Sequence, residues 1–390
     1  MTTYYLNCLG INNSVGASPK EVYESIFLTQ TLNDREVNLI SERKTQAKEV
    51  AVALPELPAH LKNFETRNNR LALHALEQIL PQVNAAISKY GKNRVAIILG
   101  TSTSGIKETE DSFLKNPEGL REDGFCYYKQ EISNTVDFLA AYLEIESLRY
   151  TISTACTSSA KVFIEAARLL EAGLCDAVIV GGVDTLSSLT LNGFDSLEAV
   201  SAQLTNPFSK NRTGINIGEG AALFLMSKEK SEVAFLGYGE SSDAYHISSP
   251  DPEGTGAEMA LRAALKKAGL TPNDISYINL HGTGTEKNDS MESLVVGKIF
   301  GSTVPVSSTK PFMGHTLGAA GAQEAAICYL ALSTLNSENL LPPHLWDQEA
   351  DPALTALSFA KKGERLGKGH CMTNSFAFGG NNVSLIFGKN

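Results

Sequence analysis

The run Ala177-Val178-Ile179-Val180-Gly181-Gly182-Val183 has no charge and no polar alternation. A strand wetted on one face alternates apolar and polar residues, whereas a strand covered on both faces does not. The run therefore reads as an interior strand of a sheet with helices on both sides, which is the α/β class. The rest of the chain agrees. Tyr4–Leu9, Arg94–Leu99, Tyr150–Ser153, Ala221–Met226, Val233–Leu236 and Ser276–Leu280 read as strands, as do Met372–Ser375 and Val383–Phe387 near the end. Arg70–Tyr90 reads as a helix with a possible kink at Pro81. An amphipathic segment from Lys161 to Glu171 ends near Gly173, as a glycine-terminated helix should. Ala257–Ala268 and residues 291–299 and 317–332 are further helices.

A chain of 390 residues can build two domains or two closely packed halves. The expected halves are residues 1–228 and 229–390. Strand, loop and small-residue helix follow one another around Cys156 and again around His315, which suggests a duplication. The strands at 177–183 and 276–280 suggest a second equivalence. The first residues lack a basic segment followed by an apolar one, and no apolar run is long enough to span a bilayer. A cytoplasmic protein with no membrane partner is expected. The net charge of −10 argues against non-specific nucleic-acid binding. An acidic protein partner would need a local basic patch: Lys62, Arg67 and Arg70, or Lys210 and Arg212. The plainer reading of both clusters is a solvated surface. Six scattered cysteines without C-x-x-C spacing argue against a metal site or a disulfide framework.

Cys156 sits in Ile152-Ser153-Thr154-Ala155-Cys156-Thr157-Ser158-Ser159-Ala160, between a strand and a helix. The free N–H groups and dipole of a helix start favour a thiolate, so a lowered thiol pKa is expected there. The alternative is a small buried apolar residue, which is what most cysteines are. Two histidines add weight to chemistry. His281 lies in Asn279-Leu280-His281-Gly282-Thr283-Gly284-Thr285, and His315 closes Thr309-Lys310-Pro311-Phe312-Met313-Gly314-His315. All three residues lie just past strand ends, the edge where α/β proteins collect ligands.

These blocks, with Asn206-Pro207-Phe208-Ser209-Lys210-Asn211-Arg212-Thr213-Gly214, Ser242-Asp243-Ala244-Tyr245-His246 and Asn374-Ser375-Phe376-Ala377-Phe378-Gly379-Gly380, resemble the β-ketoacyl-(acyl carrier protein) synthases of the elongating type. The resemblance runs nearly end to end. It implies the thiolase-like fold, two pseudo-duplicated α/β halves in a five-layer αβαβα body, usually dimeric. It implies that Cys156 holds an acyl group as a thioester, and that backbone N–H groups of Cys156 and Phe378 form an oxyanion hole. His281 and His315 would stabilise the enolate formed when malonyl loses CO2. Thr283 and Thr285 would steer the pantetheine arm, and Lys310 and Glu292 would form a buried supporting pair. Asp289 would assist them, and Phe376 would support the gate at Phe378. No cofactor bound by the protein is implied, because the phosphopantetheine arm belongs to the acyl carrier protein.

Some positions depart from the common pattern. Ala377 replaces a frequent Gly, Glu286 replaces a frequent Pro, and Gly105-Ile106-Lys107-Glu108-Thr109-Glu110-Asp111 is polar where aliphatic residues are usual. Leu191-Asn192-Gly193-Phe194 and Ile215-Asn216-Ile217-Gly218-Glu219-Gly220 look like the ketosynthases of bacterial aryl-polyene pathways, which often work beside a chain-length-factor partner. The competing readings are primary fatty-acid elongation, a chain-length-factor-like subunit with little activity of its own, and a thiolase using Cys371 as a second cysteine.

Overall fold

The computed structural model describes residues 3–115 and 126–390. Eleven strands join into one mixed sheet. In chain order they are β1 (Tyr4–Asn12), β2 (Val95–Gly100), β3 (Arg149–Ile152), β4 (Ala177–Asp184), β5 (Gly220–Ser227), β6 (Val233–Ser242), β7 (Tyr277–Asn279), β8 (Pro305–Ser307), β9 (Ser358–Phe359), β10 (His370–Ala377) and β11 (Asn381–Lys389). Across the sheet they run β9-β8-β7-β10-β11-β6-β1-β5-β4-β2-β3. A separate hairpin pairs Arg35–Asn38 with Lys44–Ala47.

The pairing pattern is written twice. In the first half β1 is antiparallel to β5, β5 is antiparallel to β4, and β4, β2 and β3 follow in parallel. In the second half β6 is antiparallel to β11, β11 is antiparallel to β10, and β10, β7 and β8 follow in parallel. A short antiparallel contact, Tyr4 with Phe235 to Leu6 with Val233, joins the halves. The strand–loop–helix units around Cys156 and His315 are therefore equivalent, as expected. The suggested match of 177–183 with 276–280 is corrected: β4 corresponds to β10, and β7 corresponds to β2.

The helices that position the site include α1 (Arg67–Tyr90), α2 (Ser158–Glu171), α3 (Ser188–Ser196), α4 (Glu286–Phe300) and α5 (Ala320–Leu332), with a further outer helix at Thr255–Ala268. Helices α2 and α5 pack against each other in the middle layer, and every residue of α5 is buried. Small residues permit this. A Cβ on Gly321 would stand 2.7 Å from the Ala160 backbone N. Helix α1 covers the first half from outside, and α4 with Thr255–Ala268 covers the second. The result is five layers. β4 shows why its sequence does not alternate. Val178 and Val180 enter the central core, whereas Ala177, Ile179 and Val183 enter the outer core of the first half.

Candidate active site

Cys156 is carried on a sharp elbow. β3 ends at Ile152, Ala155 takes a left-handed φ of 52°, and α2 begins at Ser158. A non-glycine residue in that region stores strain that its surroundings must offset. Ser158 supplies two ties: its Oγ accepts the Thr154 N–H at 2.9 Å and donates to the Ala155 carbonyl at 2.5 Å. Gly100 lets β2 pass beneath, since a Cβ there would stand 2.3 Å from the Ser159 N. Cys156 is buried, and its thiol is pushed up to about 12 by that burial. The nearby Lys310 charge and the backbone N–H groups of Phe378 and Cys156 act in the opposite direction. The expectation of a lowered thiol pKa is thus corrected, because desolvation outweighs the helix start.

His281 follows β7, and His315 follows β8 and a single helical turn at Lys310–Met313. His315 Nε2 lies 3.1 Å from Cys156 Sγ, and the two imidazole centroids are 5.4 Å apart. Their surroundings fix the tautomers. The Leu317 N–H donates to His315 Nδ1 at 3.2 Å, and the Lys310 ammonium faces His281 Nδ1 at 3.4 Å. Each Nδ1 is therefore an acceptor, and each Nε2 carries the proton. Burial and the Lys310 charge hold both histidines well below the ordinary imidazole range, so they are neutral N–H donors.

The ligand atoms of Cys156, His281 and His315 lie within 4.8 Å of one another, a spacing a metal ion could use. The second layer opposes it. A metal on Nε2 would drive the proton to Nδ1, where the Leu317 N–H and the Lys310 ammonium already stand. The donor set does not fit a metal.

Lys310 is buried, and its Nζ bonds the Glu324 carboxylate and the His281 carbonyl. This corrects the expected pairing with Glu292. Glu292 instead accepts the backbone N–H groups of His281 at 2.8 Å and Gly282 at 2.7 Å. Asp289 accepts the N–H groups of Phe208 at 2.8 Å and Gly284 at 3.3 Å. Both carboxylates therefore shape the His281 loop. Burial raises Glu292 and Glu324 to about 7 and Asp289 to about 6. Sequence reasoning missed Glu324. The signal was available, since Glu324 is the lone charged residue of α5.

The segment Phe376–Phe378 lines the site. The Phe376 ring meets His281 edge-on at 6.0 Å, and Phe378 lies 5.6 Å from Phe194 of α3, a second residue the sequence reading left without a role. Gly379 and Gly380 take φ of 82° and 77°, so the tight turn falls on them and not on Ala377. Thr283 Oγ1 and Thr285 Oγ1 are 2.8 Å apart on the wall of a cavity of about 470 Å³ that also reaches Cys156 and both histidines. Cys371 is fully buried within β10 and is not part of that wall among the described residues, which removes the thiolase reading.

The residues of the expected basic patch all have acidic partners. Arg67 pairs with the buried Glu219, and Arg212 pairs with Asp351 at 2.6 Å with its side chain only 6% exposed. Lys62 pairs with Glu65 at 3.2 Å and Lys210 with Glu349 at 2.6 Å. Two of the polar departures before residue 112 also have internal partners. Glu108 accepts the Arg67 N–H at 2.7 Å, and Glu110 accepts the Ser188 N–H at 2.8 Å, anchoring the starts of α1 and α3.

Residues 47–231 match the family model described as "Beta-ketoacyl synthase, N-terminal domain", and residues 233–345 match "Beta-ketoacyl synthase, C-terminal domain". The 3-oxoacyl-[acyl-carrier-protein] synthase 2 of Synechocystis is 30% identical over 82% of this chain and 80% of its own length. The ketosynthase ApeO of Xenorhabdus doucetiae, solved in complex with its chain length factor ApeC, is 45% identical. Its TM-score is 0.94, covering 100% of this chain and 98% of that one. A β-ketoacyl synthase of Burkholderia phymatum is 25% identical with a TM-score of 0.88 over the whole of both chains. The chain belongs to the β-ketoacyl synthase family and has its thiolase-like fold. It is an acyltransferase-type enzyme that condenses an acyl thioester with malonyl-acyl carrier protein.

Proposed function

We propose that Cys156 is the acyl carrier and that His281 and His315 drive the decarboxylation. The observation that carries this reading is that a donor faces Nδ1 of each imidazole, which leaves Nε2–H toward the site, with His315 Nε2 3.1 Å from Cys156 Sγ. In the first step the Cys156 sulfur attacks the acyl thioester, and the thiol proton leaves on the released pantetheine thiol. The N–H groups of Cys156 and Phe378 take the developing oxyanion. Malonyl-carrier then binds along Thr283 and Thr285. Its carboxylate leaves as CO2, and the electron pair becomes a thioester enolate whose oxygen accepts from both Nε2–H groups. The enolate carbon attacks the Cys156 thioester, the new carbon–carbon bond forms, and the sulfur departs and takes up a proton. Neutral histidines suit this chemistry, since no strong base is needed. Lys310, held by Glu324, keeps His281 in the required tautomer.

The halves divide these duties at residues 228 and 229: the first carries the nucleophile, the second both histidines. The protein needs no bound cofactor, since the carrier's phosphopantetheine arm supplies the thioester. We place it in the cytoplasm, as a homodimer or as the catalytic half of a pair with a ketosynthase-like chain-length factor. The 45% identity to ApeO, solved with its own such partner, supports the paired form. The motif wording supports an aryl-polyene substrate over a saturated one. The test incubates purified enzyme, with and without a chain-length-factor partner, with aryl-polyenoyl and saturated acyl carriers plus malonyl-carrier. A β-ketoacyl product with the polyenoyl carrier, lost in Cys156→Ala, supports the reading. Product only with the saturated carrier overturns the substrate, and product from Cys156→Ala overturns the mechanism.

A further inference from the structure

The cavity that reaches Cys156 is rimmed by exposed charges of both signs. Glu198, Glu286 and Lys287 are exposed, and Asp243 is half-buried. Asp243 is committed inward, accepting from Asn382 Nδ2 at 2.7 Å and from the Asp251 N–H at 3.1 Å. The cations of the wall are Arg212 and Lys287. Arg212 is neutralised by Asp351. Lys287 differs: among the described residues its Nζ meets no carboxylate, and it donates to Ser249 Oγ at 2.9 Å. Ser249 lines the same mouth. One uncompensated ammonium and one hydroxyl therefore stand together at the mouth, with the carboxylates of Glu198 and Glu286 on the same wall.

An acyl group reaches this mouth in one of two forms. On a carrier protein the pantetheine arm ends in a single phosphodiester. On coenzyme A the same arm continues into a diphosphate and a phosphorylated ribose. A mouth with one free cation and two free carboxylates matches the first and repels the second. We propose that Lys287 with Ser249 reads the single phosphate of the carrier-held arm, and that Glu198 and Glu286 exclude the polyanionic nucleotide of coenzyme A thioesters. The inference rests on the acylation of Cys156 proposed above and adds the group that selects the donor.

The test measures the rate of Cys156 acylation from three small thioesters: acyl-pantetheine, acyl-4′-phosphopantetheine and acyl-coenzyme A. They share one arm and differ in phosphate content. Each enzyme is scored as a ratio to its own pantetheine rate, which cancels damage to the nucleophile or the fold. A unit charge pair at contact distance in water amounts to about a fivefold effect. Lys287→Gln should lower the phosphopantetheine ratio about fivefold, and Glu198→Gln/Glu286→Gln should raise the coenzyme A ratio by a similar factor. Both changes should shrink at high salt. Ratios that stay fixed in either variant overturn the inference. Absence of a Cys156 adduct from all three thioesters is a different failure: it contradicts the proposed acyl-enzyme itself.

Discussion

Removing Glu324 would leave Lys310 as an unpaired charge in the interior. The two side chains are each 2% exposed, so water cannot take over from the lost carboxylate. Breaking a pair buried to that degree costs about 3–5 kcal/mol, whereas replacing both partners by apolar residues of similar size costs far less. Glu324→Ala should therefore lower the unfolding free energy by about 3–5 kcal/mol. Lys310→Met/Glu324→Leu should cost clearly less than Glu324→Ala alone. Urea unfolding followed by circular dichroism reads both. A double-mutant cycle adds the comparison that separates the two candidate partners. Coupling between Lys310 and Glu324 should be large, and coupling between Lys310 and Glu292 small, because Glu292 spends its oxygens on the His281 and Gly282 N–H groups. A loss below about 1 kcal/mol in Glu324→Ala, the level of a surface pair, would refute the argument that this charge is trapped. A larger coupling to Glu292 would refute the pairing.

Other outcomes follow from the same geometry. His281→Ala and His315→Ala should retain acylation of Cys156 while slowing CO2 release from malonyl-carrier about a hundredfold or more, the range of one lost oxyanion donor. Equal loss of both steps would contradict the division of roles. Glu324 is raised to about 7, so condensation should fall as pH drops through about 7 and the Lys310 pair is lost. Glu324→Gln should be slow with a flat profile, and a surviving limb would assign that titration elsewhere. The raised Glu292 carboxyl, which has no ion-pair partner, sets a stability trend. Its contribution is complete below the unfolded value near 4.5 and is lost as pH rises through about 7, so resistance to urea should fall across that window. Arg212→Glu would set two carboxylates together in an enclosed spot and should destabilise the fold. A selective rise in KM for the carrier protein, with stability intact, would restore the surface-patch reading.

Much of this site was legible in the sequence because strand ends are legible. The unalternating run at 177–183 marked a strand covered on both faces, and the positions of Cys156, His281 and His315 just past strands placed them on one edge of the sheet. What sequence could not supply was the pairing of groups distant in the chain. Lys310 is 14 residues from Glu324 and 18 from Glu292, and only the packing of α5 against the site decides between them. The thiol pKa failed for a related reason. Local position argued for a helix start, whereas the shift is governed by burial, which depends on the whole assembly of five layers. The acidic partners of the basic clusters were not legible because Glu219, Glu349 and Asp351 come from other parts of the chain. The duplication was visible as element order, but its register was not. β7 has only three residues, so its equivalence to β2 emerges from pairing and direction alone.

The most direct test of the central claim is a single turnover on enzyme pre-loaded with an acyl group, followed by intact mass of both proteins. Addition of malonyl-carrier should remove the acyl mass from Cys156 and move it to the carrier, with loss of one CO2 per transfer. Pre-loaded His281→Ala/His315→Ala enzyme should keep its acyl mass. Transfer at the normal rate in that variant, or acyl mass found on any residue other than Cys156, would contradict the account.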